Sequence, residues 1–292
     1  MAFLKQEFPE LTTVEIPGYE VSYGKKGSAL KLFYESVQFF NFIKKENALV
    51  DEIIKNHQID RIVSDNRYGL WSKKIESIII THQLFVKAPL GENIVHQRIE
   101  KLIRNFDECW IPDFEGEKNL AGDLAHLKPF NHPHQFIGAL SRFAAQKIEK
   151  QNYDYDLIAI LSGPEPQRTI FEKLVLEQIQ RNKLKAVVLR GLPNNEQELN
   201  LENSNLQIFN HLSTDELLKY LRKSKVVVCR SGYSSIMDLT ALGKKAILIP
   251  TPGQTEQEYL ANYHLEKKHF YSQKQNEFDL KKALDEMKGF YP

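Results

Sequence analysis

Short apolar runs alternate along the chain with longer amphipathic stretches. In the first half, Val14–Ile16, Arg61–Ser64, Ile75–Thr81 and Glu108–Ile111 read as short strands. Between the first two, Phe33, Val37, Phe40, Ile43 and Val50 recur at helical spacing and predict a helix over Ser28–His57. The segment Asn131–Asn152 breaks the pattern with Pro133, Gly138 and a basic polar run, and reads as a linker.

After that segment the alternation is cleaner. Strands are expected at Leu157–Leu161, Lys185–Leu189, Leu206–Phe209, Val226–Cys229 and Ala246–Ile249. Helices are expected from about Pro166 to Asn182, over Ser234–Leu242, and from Gln257 to Lys267. Another helix opens at Ser213, with Glu216 completing a capping box. Strands separated by helices of this length imply a parallel sheet covered on both faces, so the fold class is α/β in two domains.

Composition adds little beyond exclusions. The chain has 292 residues, with 39 Lys+Arg against 38 Asp+Glu and a formal charge of +1. That balance gives no footprint for a nucleic-acid partner. Cys109 and Cys229 lie in apolar runs and make neither a zinc pattern nor a disulfide framework; both read as reduced core residues of a cytoplasmic protein. No signal peptide and no run long enough to span a membrane is visible.

The chemistry concentrates in three polar turns, each between a strand and a helix. Arg230-Ser231-Gly232-Tyr233-Ser234-Ser235 follows one strand, and its glycine, hydroxyls and amides at a helix start suit a phosphate. Asp238 stands one turn further, where a carboxylate can accept from ribose hydroxyls. Ser162-Gly163, followed by Arg168, and the segment Thr251-Pro252-Gly253-Gln254-Thr255-Glu256-Gln257 have the same setting. Taken singly, each is equally an ordinary strand-to-helix turn; together at one sheet edge they favour a pocket.

The run RSGYSSIMDLTALGKKAILIPTPGQTEQEYLAN resembles the carboxyl-domain signature of GT-B glycosyltransferases, and within them glycosyltransferase family 28, the family of the lipid-linked muramyl-peptide N-acetylglucosaminyltransferase. LSGPEPQRT, SDNRYG and THQL resemble a bacterial subgroup of the same family. The resemblance implies two Rossmann-like domains: residues 1–140 on the acceptor side and 141–292 binding the nucleotide-sugar donor. It implies that Ser162, Gly163 and Arg168 line the diphosphate, with Ser231, Gly232, Tyr233 and Ser234 at the same group and Arg230 among the donor-binding residues. It places His211 and Leu212 at the base, expected to be uracil, Asp238 at the ribose, and Gln254 and Gln257 at the sugar. Relatives carry Glu where this chain has Asp238.

On the acceptor side, His82 resembles part of a His-Glu-Gln-Asn motif, although the Glu is missing. His82 and Asp65 are the candidate catalytic pair, and the structural alternative for His82 is a turn histidine. The resemblance implies a metal-independent sugar transfer with no cofactor, from a UDP-linked donor to an acceptor that is lipid-linked in relatives. The family's Gly-rich opening turn is not found, so the amino-terminal domain is expected to be incomplete. A nucleotide-sugar hydrolase or epimerase, or a non-catalytic nucleotide-sugar-binding remnant, stays open on the same fold. Phe39, Phe40, Phe42 and Ile43 beside Lys44-Lys45 offer either a peripheral contact with the inner membrane face or a broad buried stripe. Asp154-Tyr155-Asp156 is set aside as a metal motif because it precedes its strand, and His132-Pro133-His134 reads as a loop.

Overall fold

The computed structural model describes residues 8–16, 29–88, 91–144, 146, 152–193 and 205–290, with side chains from residue 38 onward in the first helix. Phe33 and Val37 of the expected stripe therefore have side chains outside the described residues. The chain divides into two compact units, one over Thr12–Gly138 and one built on Ala139–Pro292.

The amino-terminal unit opens with α1 (Ala29–His57), where Ile43 and Val50 are buried. Strands β1 (Arg61–Asp65), β2 (Glu76–Ile80), β3 (Glu108–Ile111) and β4 (His134–Phe136) form a parallel sheet in that order. Helix α2 (Glu92–Ile103) follows β2 and buries His96, Ile99, Leu102 and Ile103; the short α3 (Asp123–His126) follows β3. Three differences from the sequence reading have physical causes. Val14–Ile16 forms no strand: the run is largely exposed and pairs with no strand among the described residues. β4 lies inside the expected linker, because His134 and Gln135 are exposed and only pairing with Cys109 and Trp110 of β3 makes the strand. α2 was not anticipated, since its apolar stripe is thin and its entry is Gly91 at φ 71° rather than a side-chain cap.

In α1, Phe39 packs edge-on against Tyr68, and the Arg98 guanidinium lies over Phe40 at 5.8 Å. Phe39, Phe40 and Phe42 are half-buried. Among the described residues no helix is long and apolar enough to cross a membrane.

The carboxyl-terminal unit is a six-stranded parallel sheet with strands β5 (Tyr155–Ile160), β6 (Ala186–Leu189), β7 (Leu206–Phe209), β8 (Ser224–Cys229), β9 (Ala246–Leu248) and β10 (Tyr271–Ser272). Their spatial order is β10-β9-β8-β5-β6-β7. Helices α4 (Gln167–Arg181), α5 (Thr214–Lys223), α6 (Tyr233–Leu242) and α7 (Thr255–Glu266) connect them, and α8 (Leu280–Glu286) follows the last strand. β6 is buried at every position, as a sheet covered on both faces requires. Leu157, Ala159, Val226, Val228 and Ile247 meet Phe171, Val175 and Ile179 of α4 in one core. The anticipated capping box is formed, with Ser213 accepting from the Glu216 amide.

The order of strands fixes where a ligand can sit. The chain lays β6 and β7 to one side of β5, then returns to lay β8, β9 and β10 on the other. The connections leaving β5 and β8 therefore depart in opposite directions, and a crevice opens at their carboxyl ends.

Candidate functional site

Ser162 and Gly163 leave β5 exposed, with Gly163 at φ 104°, a conformation that other residues rarely adopt. The loop after β6 presses on them. Gly191 has φ 69°, and a Cβ there would lie 2.3 Å from the Leu161 carbonyl oxygen, so only glycine admits this approach.

At the exit of β8 the first residue points inward. Arg230 is 1% exposed; its Nη1 donates to the Ile249 and Pro250 carbonyls at 3.2 Å each, and its Nη2 to the Gln167 carbonyl at 3.0 Å. The guanidinium stacks 4.2 Å from the centre of the Phe171 ring. Burial pushes its pKa down to about 10, with the neighbouring Cys229 working in the other direction. The sequence reading set Arg230 among ligand contacts; in the structure it ties the exit of β8 to the exit of β9 and the first turn of α4.

Ser231 is also buried, donating from Oγ to the Gln257 carbonyl at 2.8 Å. Gln257 closes the opposite loop in turn, its Oε1 accepting from the Thr251 amide at 2.8 Å. Gly232 then starts α6 with no side-chain cap, and a Cβ on it would meet nothing within 4 Å. The start of α6, the positive end of a helix, thus has no side-chain cap and open space beside Gly232. Ser234 is exposed there, while Tyr233 is buried. In the loop after β9, Thr251 Oγ1 and Gln254 Oε1 are buried without a hydrogen-bond partner among the described residues. Thr251 Oγ1 is turned toward the β5 exit, 3.8 Å from where a Gly163 Cβ would lie.

Two further residues expected at the ligand engage partners within the fold. Arg168 does not face the open crevice: it is 6% exposed and donates to Glu165 at 2.6 Å and Glu172 at 2.7 Å. Glu172 also holds Arg190 at 2.5 Å, and Arg190 donates onward to Asn210 at 2.9 Å. This buried network braces the exits of β5, β6 and β7. Asp238, expected at a ribose, accepts from the Ser141 hydroxyl at 2.6 Å and pairs with Arg142 at 3.4 Å. Burial raises its pKa, opposed by Ser141 and Arg142. His211 is exposed after β7 and Leu212 is buried beside it.

In the amino-terminal unit Asp65 is exposed at the end of β1, and His82 is half-buried after β2. Between them in sequence, the Asn66 Oδ1 accepts from Thr81 at 3.1 Å. Sequence reasoning missed the strongest polar cluster of this unit. Asp113, fully buried after β3, accepts from the Phe114, Leu120 and Ala121 amides at 2.8, 2.7 and 3.0 Å. It also meets His126 Nε2 at 2.9 Å, and the imidazole stacks on Phe136. An open cavity of about 410 Å³ lies alongside, lined by Asp113, Phe114, Glu115, His134 and Phe136 among others. The signal was available: Asp113 follows a strand end, the same setting that singled out the other turns.

Two α/β units with all-parallel sheets, the second wound with its crevice between β5 and β8, define a fold of GT-B type. Residues 158–289, most of the carboxyl-terminal unit, match the glycosyltransferase family 28 C-terminal domain. A stretch of 63 residues is 36% identical to the UDP-N-acetylglucosamine–N-acetylmuramyl-(pentapeptide) pyrophosphoryl-undecaprenol N-acetylglucosamine transferase of Caldicellulosiruptor saccharolyticus, spanning 22% of this chain and 15% of that protein. Among solved structures, the glycotransferase of kitacinnamycin superposes with a TM-score of 0.59 at 15% identity, over 85% of this chain and 72% of that one. Arabidopsis thaliana UGT89C1, complexed with UDP-L-rhamnose, superposes with a TM-score of 0.57 at 11% identity, over 98% and 78%. At these identities the superpositions speak for the fold.

Proposed function

We propose that this protein transfers a sugar from a nucleotide-sugar to an acceptor hydroxyl, with its carboxyl-terminal unit (assigned to residues 141–292) as the donor domain. The observation that carries this reading is the uncapped start of α6 at Gly232, open at the switch point between β5 and β8. Backbone amides at such a point favour a diphosphate, which is the leaving group of the reaction. Transfer forms a bond from the acceptor oxygen to the anomeric carbon and breaks the bond from that carbon to the diphosphate. The hydroxyl proton passes to a base. Helix-end amides stabilise the departing diphosphate without a metal ion.

Within this reading Ser162, Gly163, Gly232, Tyr233 and Ser234 surround the diphosphate, His211 and Leu212 flank the base, and Gln254 and Gln257 face the sugar. Asp238 serves the ribose only if Ser141 releases it. The amino-terminal unit takes the acceptor, with His82 and Asp65 as its candidate base and partner. The Caldicellulosiruptor protein's name specifies a UDP-N-acetylglucosamine donor and an undecaprenol-linked acceptor. By analogy we assign a uridine donor and a lipid-linked acceptor, met at the inner membrane face.

The test is calorimetric titration with UDP, GDP, TDP and UDP-N-acetylglucosamine, alongside thermal unfolding. Selective binding of uridine nucleotides with a raised Tm supports the donor site. A well-folded protein that responds to none of the four overturns it.

A further inference from the structure

Arg230 is fully buried, yet among the described residues no carboxylate pairs with it. Its neighbour in the fold shows the contrast. Arg168 is nearly as buried and is held by two carboxylates, Glu165 and Glu172. A buried cation held only by neutral groups is a standing cost to the folded state. Carbonyl dipoles from Gln167, Ile249 and Pro250 and the face of Phe171 offset part of it. Among the described residues its Nε has no hydrogen-bond partner. The three carbonyls come from the connections following β5 and β9, and Arg230 itself follows β8. The charge is therefore set beneath the three turns that border the switch-point crevice.

We propose that Arg230 is a positioning residue whose unpaired charge is balanced by the diphosphate of a bound nucleotide, without direct contact between them. The inference rests on the donor-site reading and adds a charge requirement to it. Two effects follow from the one side chain. The three hydrogen bonds hold the turns in register, and the buried charge raises the potential at the uncapped start of α6. A purely structural clamp would deliver only the first.

The two effects separate in a comparison of full-length wild type, Arg230→Lys and Arg230→Gln, each titrated with UDP, uridine and inorganic pyrophosphate below its own unfolding temperature. The readout is the ratio of UDP to uridine affinity, which a general loosening of the fold leaves unchanged. Arg230→Gln is expected to lower that ratio by about tenfold, the size of one charge acting over several ångströms at an intermediate dielectric. It also removes the stabilisation by pyrophosphate. Arg230→Lys keeps the charge and loses the fork of carbonyl bonds. It is expected to have a lowered Tm with the ratio within about threefold of wild type. An unchanged ratio in Arg230→Gln overturns the charge role while leaving the donor site standing. A ratio that falls equally in Arg230→Lys overturns it too, since geometry alone would then account for the loss. A wild type that binds none of the three probes overturns the donor site and this inference together.

Discussion

The Ser141 hydroxyl donates to the Asp238 carboxylate at 2.6 Å, joining residues 97 positions apart. Arg142 reinforces the link at 3.4 Å, and Phe143 beside it is buried. The segment entering the carboxyl-terminal unit is thus strapped to α6 by the residue expected to meet a ribose. Asp238→Ala should lower stability by about 1–2 kcal/mol, the scale for a lost charged hydrogen bond with its partner left behind. Urea denaturation measures this, and hydrogen exchange at residues 139–144 should rise. Unchanged exchange there would show that Asp238 does not hold the strap.

The same carboxylate carries a pH signature. Burial raises its folded-state pKa above the unfolded value. The folded state then binds more protons in the window between the two values, so stability falls as pH rises through the folded pKa. Asp238→Asn cannot ionise. Wild type should therefore lose stability relative to Asp238→Asn as the pH climbs from about 3 through the carboxylate range. Parallel pH profiles for the two proteins would contradict this.

Glu172 holds Arg168 and Arg190 together where all three are buried or nearly so. Replacing it with Gln leaves Arg190 without its counter-charge and Arg168 with Glu165 alone. The expected loss is about 3–5 kcal/mol, because breaking a buried pair strands the remaining charge. The midpoint of denaturant unfolding reads this directly. A loss below 1 kcal/mol would mean the network relaxes toward water.

Lys244 is 2% exposed, donates to the Ser224 carbonyl and lies over the Tyr153 ring at 5.0 Å. Burial lowers its pKa to about 8. The unfolded chain then binds more protons between about pH 8 and the ordinary lysine value near 10.5, so wild type gains stability across that window. Lys244→Met should remove the gain, with a difference on the order of 1–3 kcal/mol between the ends of the window. Thermal unfolding of both proteins at pH 7.5 and about 10 is the comparison.

In the amino-terminal unit, Asp113→Asn should disturb the turn that three amides and His126 define. An amide nitrogen would face donors where the carboxylate accepted four bonds. A loss of about 2–4 kcal/mol is expected, with the His126 ring resonances moving in NMR spectra. Unmoved His126 resonances would show that the imidazole is held by Phe136 alone.

What the sequence determined by itself was local. Alternating apolar runs located most strands, glycine and serine marked the turns, and Ser213 with Glu216 announced a helix start that the structure contains. These signals survive in isolation because backbone conformation and burial periodicity are properties of neighbouring residues. Strand β4 and the partners of the polar side chains belong to the other class. β4 exists because β3 pairs with it, and its exposed residues carry no hydrophobic pattern. Arg230 and Asp238, expected at the ligand, each turn to a partner that only the tertiary structure supplies. For Arg230 these are carbonyls of distant loops and for Asp238 it is Ser141, whereas Arg168 turns to the nearby Glu165 and Glu172. A charged side chain in a strand-to-helix turn can reach inward or outward at similar local cost. Which way it goes depends on groups brought near by the winding of the sheet, and those are far away in sequence.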